Sequence, residues 1–277
     1  MRYRSFGKSG QVVSAVSLLL DGRSRQSARE WRDLVRVALD CGINGFEIAG
    51  DNPAVIEGAA EAFADVEREL LFVAWRPTAL AADPSHTVEA LVARMGLEYL
   101  DLMAFDGPPP HAPSLEGLKR TRRVRAYGLA GQDDESDLLL ARGAFDALSA
   151  PYSPASGWKE RNRIKAAAAR DMAVVAHSIC PDEILPRPVG VLKKSLFRNR
   201  ANPLAGAGSY RFLDSTPGWT PEEICLAYVL TEPSVTTVRL AIDRPERVER
   251  LAETPERDLP SGIAAQIEMA RFSVASG

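Results

Sequence analysis

Short apolar runs alternate with longer amphipathic stretches along the whole chain. Residues 12–20 form an apolar, partly β-branched run that predicts a strand. Residues 28–39 follow with Trp31, Leu34, Val35, Ala38 and Leu39 at i, i+3, i+4 spacing, the stripe of an amphipathic helix, and Gly42 predicts its stop. The same reasoning predicts strands over 46–49, 70–74, 99–105, 124–129, 147–150 and 173–176. Between them it predicts helices over 54–63, 87–95, 115–120, 136–142 and 159–170. Residues 178–219, rich in Pro, Gly, Arg and Asn, read as irregular. Thr220-Pro221-Glu222-Glu223 then opens a helix with an N-cap, a first-position proline and two acids that suit the helix dipole. That helix runs to about Thr231, followed by a strand over 235–240 and helices over 245–252 and 261–272.

Strands alternating with helices predict parallel βαβ units, and this even spacing suits a (β/α)8 TIM barrel better than an open sheet. No GxGxxG or GxxxxGK[ST] follows any strand, which argues against doubly wound nucleotide-binding folds. We therefore expect a single barrel domain over residues 1–277. Barrel chemistry gathers at the C-terminal ends of strands. That rule singles out Asp21, Glu47, Arg76, Asp106, Ala130-Gly131, Ser149, His177-Ser178 and Ile242-Asp243.

Composition narrows the function classes. With 34 Lys+Arg against 37 Asp+Glu the net charge is −3, and a pI near 5.8 argues against broad binding to nucleic acid or anionic lipid. No apolar stretch reaches ~18 residues, so no membrane helix is expected. Met1-Arg2-Tyr3-Arg4 leads into polar residues and predicts no secretory signal. Cys41, Cys180 and Cys225 are far apart without metal-ligand spacing, which predicts reduced thiols, no metal site and a cytoplasmic protein. Two basic clusters stand out, Lys119 to Arg125 and Lys193 to Arg200. Each reads either as a solvated face or loop or as a patch for phosphate or an acidic partner.

Several segments together resemble the aldo-keto reductase family. Arg4-Ser5-Phe6-Gly7-Lys8-Ser9-Gly10 with Val13-Ser14-Ala15 resembles its opening, and Ala38-Leu39-Asp40-Cys41-Gly42-Ile43-Asn44 the approach to its second strand. Met95-Gly96-Leu97-Glu98-Tyr99-Leu100-Asp101-Leu102 is similar to the run before strand four, and Val124-Arg125-Ala126-Tyr127-Gly128 to strand five. Residues 221–230 resemble the helix before strand eight, and Arg244-Pro245-Glu246-Arg247-Val248 the segment after it. The resemblance implies carbonyl reduction with NAD(P)H through an Asp, Tyr, Lys and His in one pocket. Carried over position by position, the Asp falls on Glu47, the Tyr on Asn52, the Lys on Arg76 and the His on Asp106. An amide has no proton of suitable acidity for a developing alkoxide. A guanidinium does not release one near neutral pH. An ionised Asp106 would repel an oxyanion. A Glu47–Arg76 salt bridge is the expected use of that pair, and the family reaction is not expected.

The resemblance also implies a dinucleotide over the last four strands. The family's Ser-Asn pair for the carboxamide falls on Ala130-Gly131, and its strand-six Gln on Ser149. Its stacking Tyr falls on His177, a smaller flat ring, with the pyrophosphate Ser kept as Ser178 and Cys180 two residues on. After strand eight, Leu240, Ala241, Asp243, Arg244 and Arg247 fall around the adenosine phosphate, and the family's Glu-Asn ending falls on Arg250-Leu251. Asp243 disfavours a 2′-phosphate, pointing to NAD(H) over NADP(H). The family's strand-one glycines are replaced across Ser17-Leu18-Leu19-Leu20, followed by Asp21, which predicts a narrowed pocket floor. The expected function is a catalytically degenerate reductase-like regulator that binds NAD(H). It resembles the oxidoreductase-like bacterial cell-division regulators of the KidO type, which implies division or kinase-signalling proteins as partners. Two alternatives stay open. One is an active oxidoreductase on a small carbonyl compound, with Glu47, Asp106 or His177 as acid–base groups. The other is a barrel that binds a metabolite and no dinucleotide.

Overall fold

The chain enters through a small antiparallel pair, β1 (Tyr3–Ser5) and β2 (Val12–Ser14), before the barrel begins at β3 (Val16–Asp21). The apolar run over 12–20 is thus two strands, not one. At the break the Ala15 amide donates to the Arg2 carbonyl, while the Ser14 hydroxyl bonds the Val16 carbonyl. Val13 and Ser14 on one side of the break and Val16 to Leu20 on the other are all buried, so hydrophobicity alone does not mark the junction. The computed structural model describes residues 1–23, 25–79, 83–109, 112–131, 134–180 and 210–274.

From β3 the parallel strands follow in chain order. They are β4 (Gly45–Ala49), β5 (Phe72–Arg76), β6 (Leu100–Phe105), β7 (Val124–Leu129), β8 (Ala147–Pro151), β9 (Ala173–His177) and β10 (Thr237–Ala241). They close as a barrel, β10 pairing with β3 through Val238–Val16 and Leu240–Leu18. The expected (β/α)8 barrel is the fold. The intervening helices are α1 (Ala28–Asp40), α2 (Pro53–Phe63), α3 (Ser85–Arg94), α4 (Ala112–Arg120), α5 (Asp134–Ala141), α6 (Trp158–Ala168), α7 (Pro221–Leu230) and α8 (Pro245–Glu253), with α9 (Ile263–Val274) at the end.

Local chemistry sets the helix ends. Ser27 and Glu30 form a capping box on α1, and Thr220 and Glu223 form one on α7. Gly42, at φ +80°, ends α1 in a Schellman motif: its amide bonds the Leu39 carbonyl, and that of Ile43 bonds Ala38. Gly58 brings α2 against α1, since a Cβ there would meet the Ala28 carbonyl oxygen at 2.3 Å.

Strand alternation divides the core. Outward residues such as Leu18, Phe46, Ile48 and Trp75 pack beneath the helices. Inward residues Phe72, Ala74, Leu102, Ala126, Ala147, Ala173 and Val175 fill the barrel with Phe6 and Val13. Phe6 plugs the N-terminal end, its ring 4.5 Å from that of Phe72. Phe6 and the inward side chains thus pack the lower barrel, and a cavity opens at the C-terminal ends of the strands.

Of the first basic cluster, Lys119, Arg123 and Arg125 pair with Asp146, Glu89 and Asp101. The second, Lys193 to Arg200, and most of the irregular section lie outside the described residues. Among the described residues, no helix is long and apolar enough to cross a membrane.

Candidate functional site

Inward positions toward the C-terminal ends of β4, β5, β9 and β10 carry Glu47, Arg76, His177 and Arg239. Glu47 is 4% exposed and Arg239 7%, so neither charge is bathed by solvent. Arg239 Nη1 donates to both Glu47 oxygens at 2.5 and 2.6 Å, and Arg76 Nε donates to Oε1 at 2.8 Å. Arg76 Nη1 also reaches Asp106 Oδ1 at 3.2 Å. Burial pulls the Arg76 pKa down, but Glu47 and Asp106 outweigh it and hold it above the ordinary value. A carboxylate gripped by two guanidiniums is the hub of a buried ion-pair network, and removing it would leave the Arg239 cation buried without a partner.

His177 stands at the end of β9 with Nδ1 3.0 Å from the Ser178 hydroxyl. Burial first, then the charges of Arg239 and Arg76, push its pKa down to about 3, with Asp106 pulling the other way. The imidazole is therefore neutral at physiological pH, a flat ring and not a cation. Ser178 adopts φ +52°, a conformation costly for a residue with a Cβ, and it turns the chain sharply away from β9.

A cavity of about 400 Å³ opens here. Its walls include Leu19, Arg23, Arg76, His177, Ser178, Cys180, Leu240, Ala241 and Arg247. Leu19 lies on β3 where the narrowed floor was expected, and Asp21 at the end of that strand binds Arg23 at 2.7 Å. Arg247 forks onto Glu222, which raises its pKa through the hydrogen bond. No Tyr or Lys is among the described residues that line this space.

Of the residues singled out from the sequence, Arg76, His177, Ser178, Cys180, Leu240, Ala241 and Arg247 come together around the cavity, with Glu47 beneath Arg76. Asp106 stands at the rim, its side chain 62% exposed. Asp243 and Arg244 are exposed and outside the cavity wall, Arg244 at the N-cap of α8. Asn52 faces elsewhere: its amide oxygen accepts from the Ala54 and Val55 amides as the N-cap of α2, and its nitrogen donates to the Gly22 carbonyl. Gly131 is buried against the Ser136 hydroxyl, and its carbonyl accepts from Arg163.

Ser149 bears on whether a dinucleotide fits. It is 5% exposed on β8, and its hydroxyl has no hydrogen-bond partner among the described residues. A buried hydroxyl left unpaired costs ~1–3 kcal/mol. A ligand amide entering from the strand ends is the kind of group that would satisfy it. The residues present therefore fit a nicotinamide dinucleotide: a free hydroxyl in the barrel, a neutral ring at His177, and Ser178 and Arg247 along the wall.

Arg239 escaped the sequence reading. The signal was present, since Thr237, Arg239 and Ala241 share one face of a strand and a lone arginine among inward positions needs a buried anion. The partner, Glu47, is 192 residues away.

A sequence model of the aldo/keto reductase family matches residues 18–270. No curated protein matches the chain. Among solved structures, the holo form of aldo-keto reductase AKR11C1 from Bacillus halodurans superposes with a TM-score of 0.73 at 18% identity, covering 97% of this chain and 95% of that one. A Pseudomonas aeruginosa protein assigned to the aldo-keto reductases gives 0.65 at 20% identity, covering 98% and 95%. These structures share the fold, and the family match spans the barrel from its first strand to its last helix: this chain belongs to the aldo/keto reductase family.

Proposed function

We propose that this chain binds a nicotinamide dinucleotide, NAD(H) in preference to NADP(H), and works as a catalytically degenerate regulator. The observation that carries this is the fate of the reactive positions. Glu47 is locked between Arg76 and Arg239, and the Asn52 amide is spent on capping α2. Both side chains are committed to structural contacts, so neither is free to pass a proton to a carbonyl oxygen. The dinucleotide would supply a hydride, and the residues that would hold it are Ser149 at the amide, His177 beside the ring, and Ser178, Arg247 and the backbone at Leu240–Ala241 along the phosphates. Asp243 and Arg244, exposed beside this wall, would meet the adenosine end, where the Asp243 carboxylate disfavours a 2′-phosphate. The partner class, bacterial division or kinase-signalling proteins, rests on the KidO-type resemblance.

One observation favours the competing reading, an active oxidoreductase on a small carbonyl compound. Asp106 is exposed at the rim and touches Arg76, so an acid–base carboxylate is within reach of the cavity. Titrating NADH and NADPH by energy transfer from the tryptophans, and following NAD(P)H oxidation against a carbonyl panel, separates the two. The regulator predicts saturable NADH binding without turnover. Turnover that Asp106→Asn abolishes establishes the enzyme instead, and no binding leaves a metabolite-binding barrel.

A further inference from the structure

Two of the three cysteines meet at the edge of the cavity. Cys225 lies on α7 and is fully buried, one turn after Glu222, which lines the cavity. Cys180 follows the sharp turn at Ser178, lines the cavity itself, and packs its half-buried side chain against the apolar cluster that contains Cys225. The Cys180 thiol is near enough to Cys225 that it and burial together raise the Cys225 pKa. The third, Cys41, caps α1 and neighbours the carboxylates of Asp40, Glu249 and Glu253.

We propose that Cys180 and Cys225 are a redox-modification site, closed to an intramolecular disulfide by hydroperoxides. The roles follow from access. Cys180 faces the cavity, so a peroxide reaches it first. Cys225 has no solvent path of its own, and burial together with the Cys180 contact keeps its thiol protonated. Cys180 sulfur, as thiolate, attacks the peroxide O–O bond. This forms the sulfenic acid and releases the alcohol, or water from hydrogen peroxide. Cys225 sulfur then displaces hydroxide from the Cys180 sulfenyl sulfur, its proton leaving with the hydroxide as water. In balance, two thiols and one hydroperoxide give one disulfide, one alcohol and one water. Two electrons pass from the sulfurs to the peroxide oxygens.

The bond would fasten the segment after β9 to α7 and withdraw a thiol from the cavity wall beside His177 and Ser178. A protonated resolving thiol is a poor nucleophile. Closure consumes the sulfenic acid, so this intermediate decays as the disulfide forms. The readout is covalent and does not depend on whether a dinucleotide binds.

The test uses the whole chain, freshly reduced, with hydrogen peroxide in small excess. Thiols are then counted by alkylation after unfolding, and the protein is digested without reductant and weighed. Expected are one alkylated cysteine, Cys41, where the untreated chain gives three, and a crosslinked pair of peptides containing Cys180 and Cys225. A trap for sulfenic acid should label Cys180 transiently in the parent and persistently in Cys225→Ala. Because Cys225→Ala empties a buried site, Cys180→Ser at the half-buried position is the paired control, and it should leave both remaining thiols unlinked. Three alkylatable thiols after peroxide, a sulfinic acid at Cys180 without crosslink, or a disulfide involving Cys41 would overturn the assignment.

Discussion

Removing Arg239 strips the buried carboxylate of its better partner, and the size of the loss can be worked from the geometry. Arg239→Met keeps the aliphatic stem in the barrel but removes a guanidinium that holds both Glu47 oxygens at 2.5 and 2.6 Å. Glu47 retains Arg76 Nε at 2.8 Å. Breaking a buried pair outright costs about 3–5 kcal/mol, so with one partner left about 3 kcal/mol is expected. Glu47→Gln leaves the Arg76 and Arg239 guanidiniums with no anion between them, and about 4 kcal/mol is expected. The double variant removes the carboxylate and one cation together, while Arg76 keeps Asp106 at 3.2 Å. Its cost should fall short of the sum of the singles by at least 1.5 kcal/mol. Urea unfolding followed by tryptophan fluorescence measures all three. In parallel, the His177 pKa should rise in Arg239→Met, because the largest charge that depresses it is gone. Effects that add within ~0.5 kcal/mol, or a His177 titration unmoved by Arg239→Met, would refute the claim that these groups form one electrostatic unit.

Other outcomes follow from the same structure. His177 titrates near 3 when folded and at 6.5 when unfolded. The unfolded chain therefore binds more protons between those values, and stability should fall as pH drops below 6.5, by up to ~1.4 kcal/mol per unit from this group. His177→Asn should flatten that slope between pH 5 and 6.5, and an unchanged slope would contradict the burial argument. Asn52→Ala should cost ~1 kcal/mol through the lost cap of α2 and leave NADH affinity within twofold, by denaturation and by fluorescence titration respectively. Ser149→Ala should leave the free protein as stable or more so, since its hydroxyl has no partner among the described residues, while weakening NADH about 5–10-fold. A destabilised variant with unchanged affinity would place that hydroxyl outside the ligand site.

Much of the architecture was legible because it is local. The stripe of Trp31, Leu34, Val35 and Ala38, the Thr220–Glu223 box and the stop at Gly42 are written within a few residues, and each element formed as the pattern predicts. The rule that barrel chemistry sits at strand ends then led to Arg76, Asp106 and His177. Illegible features were those decided between distant segments. The fold of residues 3–14 into a hairpin beneath the barrel depends on backbone pairing between Tyr3–Ser5 and Val12–Ser14, which an unbroken apolar run conceals. The buried anion site needs Glu47 and Arg239 from strands that become near neighbours only once the barrel closes. Asn52 shows a different lesson. Asn followed by Pro53 is itself an N-cap signature, and that local chemistry decided its side chain's direction.

The central claim is that this barrel mouth holds a dinucleotide it does not turn over. One titration tests it: NADH added to the protein with a carbonyl panel present, reading tryptophan-sensitised emission and NADH absorbance on the same samples. The account predicts saturable emission with constant absorbance. A loss of absorbance in proportion to the protein, absent with boiled protein, would contradict it.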